Sequence, residues 1–167
     1  MVESNSKILS AEKVFRILKR ITVHIYENNL ESGSIVLVGV HDQGYKIAEY
    51  IHGELKKMDP GFSTNLVELK IDKGNPSGDI AINVNMDDLS DQTVILVDDV
   101  LNTSRTLAYA LKYLLQVPIK KIETAVLINR SHAAFPISAT YSGYELATTL
   151  DEHIKVSLEG EIGAYLY

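Results

Sequence analysis

Two continuous apolar runs, each followed by a short turn and an amphipathic helix, constrain the fold of this 167-residue chain most strongly. The first run is Ser34–Val40, with a helix expected at Gln43–Met58. The second is residues 93–97, with a helix expected at residues 104–116. A strand that is apolar at consecutive positions is typical of a parallel sheet covered on both faces. The pattern predicts an α/β fold with a mainly parallel sheet flanked by helices.

The other predicted elements fit the same plan. Ser10 is a suitable N-cap for a first helix, and apolar residues recur after it at three- and four-residue steps. We predict a helix at residues 10–28, strands at 66–71, 80–84 and 124–128, and a turn-rich loop at 72–79. We expect a single domain over residues 1–167, with a small hood formed mainly by about residues 129–167.

Composition limits the class of function. Hydrophobic residues make up 46% of the chain, which suits one domain that buries roughly two-thirds of its unfolded surface. Sixteen Lys and Arg against 22 Asp and Glu give a net charge of −6, which disfavours general binding to nucleic acid or membranes. The absence of cysteine excludes disulfides and thiol chemistry. With no signal-peptide pattern and no long apolar run, we expect a cytoplasmic protein.

The chemically informative segment is residues 94–106, VILVDDVLNTSRT. Asp98 and Asp99 follow four apolar residues, and a hydroxyl-rich turn then opens a helix. Amides at a helix N-terminus, together with hydroxyls, can bind a phosphate, while carboxylates accept hydrogen bonds from sugar hydroxyls or hold Mg²⁺ through water. The segment therefore suits a phosphorylated sugar, although a bare pair of aspartates can also serve only to cap a helix.

This segment closely resembles the phosphoribosyl-pyrophosphate (PRPP) signature of type I phosphoribosyltransferases. IVLVGVHDQGYKIA at residues 35–48 is similar to the strand and helix around the pyrophosphate loop of that family. AVLINRSHAAFPI at residues 125–137 resembles the subgroup of bifunctional pyrimidine regulatory proteins and uracil phosphoribosyltransferases. The resemblance implies transfer of 5-phosphoribose from PRPP to a nucleobase, most simply a pyrimidine such as uracil. It also implies a requirement for Mg²⁺ and a homodimer.

The resemblance also implies roles for individual residues. Asp98 and Asp99 would hold the ribose hydroxyls and, through water, the metal ion. The remaining roles fall to four groups: the 5′-phosphate loop Asn102, Thr103, Ser104, Arg105 and Thr106; the pyrophosphate loop His41, Asp42, Gln43 and Gly44; the flexible-loop cations Lys70 and Lys73; and the base-binding residues Arg130 and Ser131.

Three departures from the family pattern lie mainly on the pyrophosphate side. Ser104 stands where the family has glycine, and we expect it to fit if its φ is negative. Asp42 and Gln43 precede Gly44 where the subgroup has a basic residue, and a carboxylate opposes pyrophosphate unless a metal bridges them. The flexible loop lacks the Tyr-Arg pair of the subgroup, which leaves Lys70 and Lys73 as its cations.

A regulatory function is the alternative. Lys13, Arg16 and Arg20 line one face of the first predicted helix, and the pyrimidine regulatory relatives bind RNA partly through this part of the chain. The altered pyrophosphate side also suits a nucleotide sensor with weak or no transferase activity. A basic helix face is more often only solvated, and the net charge of −6 disfavours RNA.

Overall fold

The computed structural model describes residues 6–130, 132–147 and 152–167. The helices are α1 Ala11–Asn29, α2 Gln43–Met58 and α3 Arg105–Leu114, with 3₁₀ turns at Leu30–Ser32 and Met86–Leu89. The strands are β1 Ser6–Ser10, β2 Ser34–Val40, β3 Ser63–Ile71, β4 Ile80–Ile82, β5 Thr93–Leu101, β6 Lys121–Asn129, β7 Tyr141–Glu145, β8 Ile154–Ser157 and β9 Gly163–Leu166. Within the described ranges, none of the helices has the length and apolarity to cross a membrane.

A six-stranded sheet in the order β4-β3-β2-β5-β6-β7 forms the centre of the molecule. All its neighbouring strands run parallel except β4, which returns antiparallel along β3. The prediction of an α/β fold with a mainly parallel sheet is confirmed. β2 and β5 lie side by side, with Gly39 opposite Val97, so the segments that follow them meet at the same edge of the sheet.

Both faces of this sheet are covered, which explains the continuous apolar runs. Ile35 and Leu37 of β2 pack in one core with α1 and α2, while Val36 and Val38 pack in the other with α3. Successive side chains of a strand point to opposite faces, so a strand buried on both sides needs apolar residues at every position.

A buried polar network joins the end of α1 to the sheet. The Glu123 carboxylate accepts hydrogen bonds from Asn29 at 3.0 Å and from the Tyr141 hydroxyl at 2.7 Å, and it pairs with Lys121 at 2.9 Å. Burial alone would raise the pKa of Glu123, but these hydrogen bonds outweigh it and hold the pKa below its usual value. The network anchors α1 against β6 and β7.

The smaller, three-stranded antiparallel sheet has the order β1-β9-β8 and forms the hood. It differs from the expected 129–167 hood in two respects. β7 lies in that range but pairs with β6 in the large sheet, and β1 comes from the other end of the chain. Both ends of the chain therefore build the hood.

Candidate active site

Asp98 and Asp99 lie at the end of β5, in the middle of the large sheet. The predicted turn at residues 98–103 is shorter than expected, because β5 continues to Leu101 and keeps both aspartates in regular backbone. Asp98 is 2% exposed, and its Oδ1 accepts a hydrogen bond from the Asp99 amide at 2.9 Å. Burial, followed by the charge of Asp99, raises the pKa of Asp98 well above its ordinary value. Two acids in so little water form a strong cation site.

Lys73 fills that site from the loop after β3. Its Nζ donates to Oδ1 of Asp98 at 2.7 Å and to Oδ1 of Asp99 at 2.8 Å. Burial alone would lower the pKa of Lys73, but the two carboxylate charges outweigh it and raise the pKa. Lys73 in turn holds the pKa of Asp99 low, against the opposite effect of burial.

The turn between β5 and α3 encloses a cavity of about 50 Å³, lined by Asp98 and residues 100–107. Ser104 adopts a φ of +66°, so the condition of a negative φ, under which we expected serine to fit, is not met. Its hydroxyl donates to the Ile137 carbonyl at 2.9 Å rather than into the turn. The Thr103 hydroxyl accepts from the Arg105 amide at 3.3 Å, and the Thr103 carbonyl accepts from the amides of Ala134 and Phe135. The turn is thus braced by the segment after β6.

A cleft of about 420 Å³ brings most of the sequence-predicted residues together. The predicted residues that line it are Lys73, Asp98, Asp99, Asn102, Thr103, Arg105, Thr106 and Arg130. Arg130 is 3% exposed, and its amide donates to the Leu101 carbonyl at 2.9 Å. Ser131, predicted to contact the base, lies outside the described residues.

The hood contributes residues that the sequence reasoning missed. His153 and Ile154 line the main cleft, and Lys155 lines a second cavity beside it. These residues belong to no recognisable motif. β8 packs against β5 of the large sheet, which brings these residues to the cavities, and the sequence of a short strand does not indicate such a long-range contact.

The second cavity, of about 310 Å³, lies at the predicted pyrophosphate loop and shares Lys73, Asp99 and Ile154 with the main cleft. His41, Asp42 and Gln43 line it. The peptide bond between His41 and Asp42 is cis. The Gln43 side chain donates to Asp42 at 3.0 Å and accepts from the Leu158 amide at 3.0 Å, which ties this loop to the hood.

Asp42 carries its own counter-ion. Lys46, one helical turn along α2, lies 2.9 Å from its carboxylate, and Lys46 also contacts Glu159 of the hood at 3.2 Å. The hydrogen bond from Lys46 lowers the pKa of Asp42, so this acid is ionised but paired. The unfavourable charge noted in the sequence is therefore compensated from within the same helix.

Gly44 and Lys70 take part differently from the predicted roles. A Cβ on Gly44 would lie 2.7 Å from the Val97 carbonyl oxygen and 3.0 Å from the Asp98 Cα, so this glycine allows α2 to approach the acids. Lys70 lies 3.9 Å from Glu68, which also contacts His41 at 2.6 Å. In the described part of the chain, Lys70 lines neither cleft.

The acid pair suits Mg²⁺, which keeps water and substrate ligands, better than a metal ion whose ligands all come from the protein. The described residues contain no group of three or more His, Cys, Asp or Glu that could hold a metal ion. Mg²⁺ commonly keeps several waters and uses one or two carboxylates together with substrate phosphates. Asp98 and Asp99 already hold a cation, the Lys73 ammonium, through one oxygen each.

A mainly parallel sheet with paired acids and a hydroxyl-rich turn at the carboxyl end of its central strand is the arrangement that we expected of a type I phosphoribosyltransferase. The comparison with known families agrees, because residues 4–158 match the model of the phosphoribosyl transferase domain. The chain belongs to this family and is a phosphoribosyltransferase.

Individual relatives indicate which subgroup of the family this chain is similar to. The "Bifunctional protein PyrR" of Clostridium botulinum is 35% identical over 181 residues, which cover 99% of this chain and 98% of the relative. The protein of the same name from Leuconostoc mesenteroides is 32% identical over 161 residues, or 93% and 92% of the two chains. A hypoxanthine-guanine phosphoribosyltransferase from Bacillus anthracis has a similar fold, with a TM-score of 0.73 at 19% identity, over 89% of this chain and 86% of that one.

Proposed function

We propose that this phosphoribosyltransferase transfers 5-phosphoribose from PRPP to a pyrimidine base such as uracil and releases pyrophosphate. The observation that carries the proposal is the single cleft that joins the paired acids of β5 to the turn before α3. The preference for a pyrimidine rests on the similarity to the PyrR relatives.

The reaction needs positioning more than side-chain chemistry. The bond between ribose C1 and the pyrophosphate oxygen breaks, and a bond between C1 and a base nitrogen forms as that nitrogen loses its proton to the departing pyrophosphate or to water. Positive charge develops on the ribose ring as the pyrophosphate leaves. In our proposal, Asp98 and Asp99 accept hydrogen bonds from the ribose hydroxyls, and the turn at residues 102–106 holds the 5′-phosphate. Fixing both ends of the ribose aligns C1 between the two groups, and such alignment can supply several kcal/mol of the barrier, about 7–11 in favourable cases.

Magnesium completes the electrostatics. Asp98 and Asp99 are the residues that would hold Mg²⁺, which when bound neutralises the charge of the departing pyrophosphate. Lys73 and Lys155 border the cavity on that side, so the chain supplies two further cations there. Arg130, His153 and Ile154 line the part of the cleft that we assign to the base.

The test is turnover of PRPP with Mg²⁺ and a panel of bases, with release of pyrophosphate as the measurement. We expect turnover with uracil above that with purines. The double variant Asp98→Asn/Asp99→Asn should lose PRPP binding in calorimetry while keeping its circular dichroism. Failure of the parent protein to bind PRPP would contradict the proposal, and unchanged affinity in the double variant would make the acids structural.

The regulatory alternative is a nucleotide sensor that binds PRPP or a nucleoside monophosphate without turnover. The altered pyrophosphate loop favours it, because Asp42 and Gln43 precede Gly44 where the subgroup has a basic residue. RNA binding has less support. On the basic face of α1, Arg16 pairs with Glu12 and Arg20 donates to the Gly143 carbonyl. Binding without turnover in the assay above would favour the sensor.

We also propose a homodimer, as the family resemblance implies. Light scattering of the purified protein at several concentrations tests it. A mass twice that of the 18.5 kDa chain is expected, and a monomer at all concentrations would contradict it.

A further inference from the structure

Lys73 stands between the two cavities of the site and blocks the atoms that the substrate needs. Its Nζ contacts Asp98 Oδ1 at 2.7 Å and Asp99 Oδ1 at 2.8 Å. The side chains of the acids are 3% and 14% exposed, whereas that of Lys73 is 41% exposed. The ammonium therefore covers both acids on their solvent side.

The proposed substrate competes for these same oxygens. Ribose hydroxyls and the waters of Mg²⁺ donate hydrogen bonds to carboxylates, and so does an ammonium. An ammonium at hydrogen-bond distance from both Oδ1 atoms occupies acceptor sites on both acids and limits the approach of a sugar and a hydrated metal to them. Lys73 therefore competes with the substrate for these oxygens, and the substrate can use both Oδ1 atoms fully once Lys73 has left them.

We propose that Lys73 acts as an exchangeable stand-in for the substrate's cation: it holds Asp98 and Asp99 in the free protein, and on substrate binding it moves to the pyrophosphate. This inference rests on the proposed function and adds to it the order of events and the second position of one side chain.

The geometry supplies the second position. Lys73 also borders the 310 Å³ cavity lined by His41, Asp42, Gln43 and Lys155. A lysine carries its charge on a flexible four-carbon stem, so it can turn from one cavity to the other without movement of the sheet. In that cavity Lys73 and Lys155 would face an anion together, and Asp42 is already paired with Lys46.

The loop is built for a change at this residue. Lys73 is the second residue after β3 and lies within a tight turn, in which the Asp72 carboxylate accepts from the Gly74 amide at 2.8 Å and the Asp72 carbonyl accepts from the Asn75 amide at 3.1 Å. These bonds hold the turn without the Lys73 side chain. Its ammonium can therefore change partners while the turn stays in place.

The exchange predicts that ligands with and without pyrophosphate respond in opposite ways to loss of the lysine charge. Ribose 5-phosphate with Mg²⁺ displaces Lys73 and gives it no new partner. PRPP with Mg²⁺ displaces it and provides one. In the parent protein, competition by Lys73 therefore weakens the binding of ribose 5-phosphate. PRPP regains the lost ion pair, because its pyrophosphate becomes the new partner of Lys73.

The experiment compares the parent protein, Lys73→Met and the control Lys57→Met by calorimetry, with ribose 5-phosphate and with PRPP at one fixed Mg²⁺ concentration. Lys57 lies at the far end of α2 and has a matching ion pair, 2.7 Å from Glu54. In Lys73→Met we expect ribose 5-phosphate to bind about fivefold more tightly and PRPP about tenfold more weakly. Lys57→Met should resemble the parent with both ligands.

An unchanged ratio of the two affinities in Lys73→Met would overturn the exchange. Weaker binding of both ligands would overturn it too, because Lys73 would then only stabilise the acids. Failure of the proposed function gives a different result, since the parent itself would then bind neither ligand.

A second measurement needs no variant. The parent protein is treated with an acylating reagent, and peptide mass spectrometry follows the rate of acylation at Lys73. The rate at Lys57 in the same sample serves as the reference. The rate at Lys73 should be low in the free protein, rise with Mg²⁺ and ribose 5-phosphate, and fall again with Mg²⁺ and PRPP. A rate that ribose 5-phosphate does not raise would overturn the proposal, even if Lys73→Met fails to fold.

Discussion

Ser104 combines an unfavourable backbone conformation with a useful hydrogen bond. Its φ of +66° brings Cβ close to the backbone, which costs a non-glycine residue about 1–2 kcal/mol. Its buried hydroxyl donates to the Ile137 carbonyl at 2.9 Å, which ties the turn before α3 to the segment after β6. A net contribution of about 1 kcal/mol from this bond offsets the backbone cost. Glycine, the usual residue of the family, removes both effects at once.

Two substitutions at this residue separate the two effects. Ser104→Gly loses the hydroxyl but relieves the backbone, so its stability should stay within about 1 kcal/mol of the parent. Ser104→Ala loses the hydroxyl and keeps the strain, so it should be less stable than Ser104→Gly by about 1 kcal/mol or more. Urea unfolding of the three proteins measures this. An alanine variant as stable as the glycine variant would show that the positive φ is not maintained in solution.

Lys70 and Lys73 illustrate what sequence can say about single residues in the site. We expected both to be flexible-loop cations near the pyrophosphate, and both are lysines, so their residue type does not distinguish them. Lys70 lies within β3, where the alternation of the strand turns it to the surface beside Glu68. Lys73 follows the strand, where the loop brings it back to the acids. The difference depends on where a strand ends, and sequence patterns fix such boundaries poorly.

At the scale of elements, the approach of α2 to β5 depends on Gly44. A methyl group there would lie 2.7 Å from the Val97 carbonyl oxygen and 3.0 Å from the Asp98 Cα. Both are backbone atoms, which cannot move aside as the end of a flexible side chain can. Gly53 lies in the same helix with nothing within 4 Å of the equivalent position. One helix thus contains one glycine required by packing and one that packing does not require.

The two glycines should respond to alanine in opposite directions. Gly44→Ala should destabilise the protein by about 2 kcal/mol, since overpacking of backbone against backbone typically costs about 1–3 kcal/mol. It should also weaken PRPP binding by shifting Asp98. Gly53→Ala should stabilise the protein by about 0.5–1 kcal/mol through helix propensity. Thermal or urea unfolding gives both values, and equal effects at the two positions would contradict the packing of α2.

The buried network around Glu123 makes the attachment of α1 to β6 and β7 dependent on pH. The pKa of Glu123 is lower in the folded protein than its ordinary value of 4.5. A carboxyl group with a depressed folded pKa contributes stability above its unfolded pKa, and this contribution is lost as the pH falls through the folded pKa. Protonation would leave the donors of Asn29 and Lys121 with a weaker acceptor.

Glu123→Gln should therefore be less stable than the parent by about 1–2 kcal/mol at pH 7, and this difference should shrink as the pH falls below about 4.5. Urea unfolding of both proteins between pH 3 and pH 7 measures it. Glu54→Gln is a suitable control, because Glu54 takes part in an ion pair with the exposed Lys57 at the surface of α2. A difference that is constant across this pH range would show that the charge of Glu123 contributes nothing.

For the whole molecule, the large sheet was predictable and the hood was not. The order of strand, turn and helix depends on residues close together in the sequence. A strand buried on both faces, such as β2, can be recognised by its continuous run of apolar residues. β1 pairs with β9, with Ser10 opposite Gly163, across almost the entire chain. Its sequence, SKILS, is too short and too mixed to signal a strand without that partner. The site follows the same division, because its acids and phosphate turn lie in a local motif, whereas His153 and Lys155 arrive through the hood.

The hood and the large sheet both line the main cleft, so binding of the proposed substrate there should stabilise the molecule as a whole. The Gln43 side chain accepts a hydrogen bond from the Leu158 amide, and Lys46 contacts Glu159, which links the start of α2 to the hood. A ligand at a hundred times its dissociation constant adds about 2.7 kcal/mol to the free energy of unfolding. For a chain of this size, PRPP with Mg²⁺ should raise Tm by about 5–10 °C.

Pyrophosphate with Mg²⁺ should have a much smaller effect, since it can contact the Lys73 ammonium only by drawing it away from both acids. The Asp98→Asn/Asp99→Asn variant serves as the control and should show no shift with PRPP. A shift with pyrophosphate as large as that with PRPP would mean that the ribose-phosphate half of the cleft contributes little to binding.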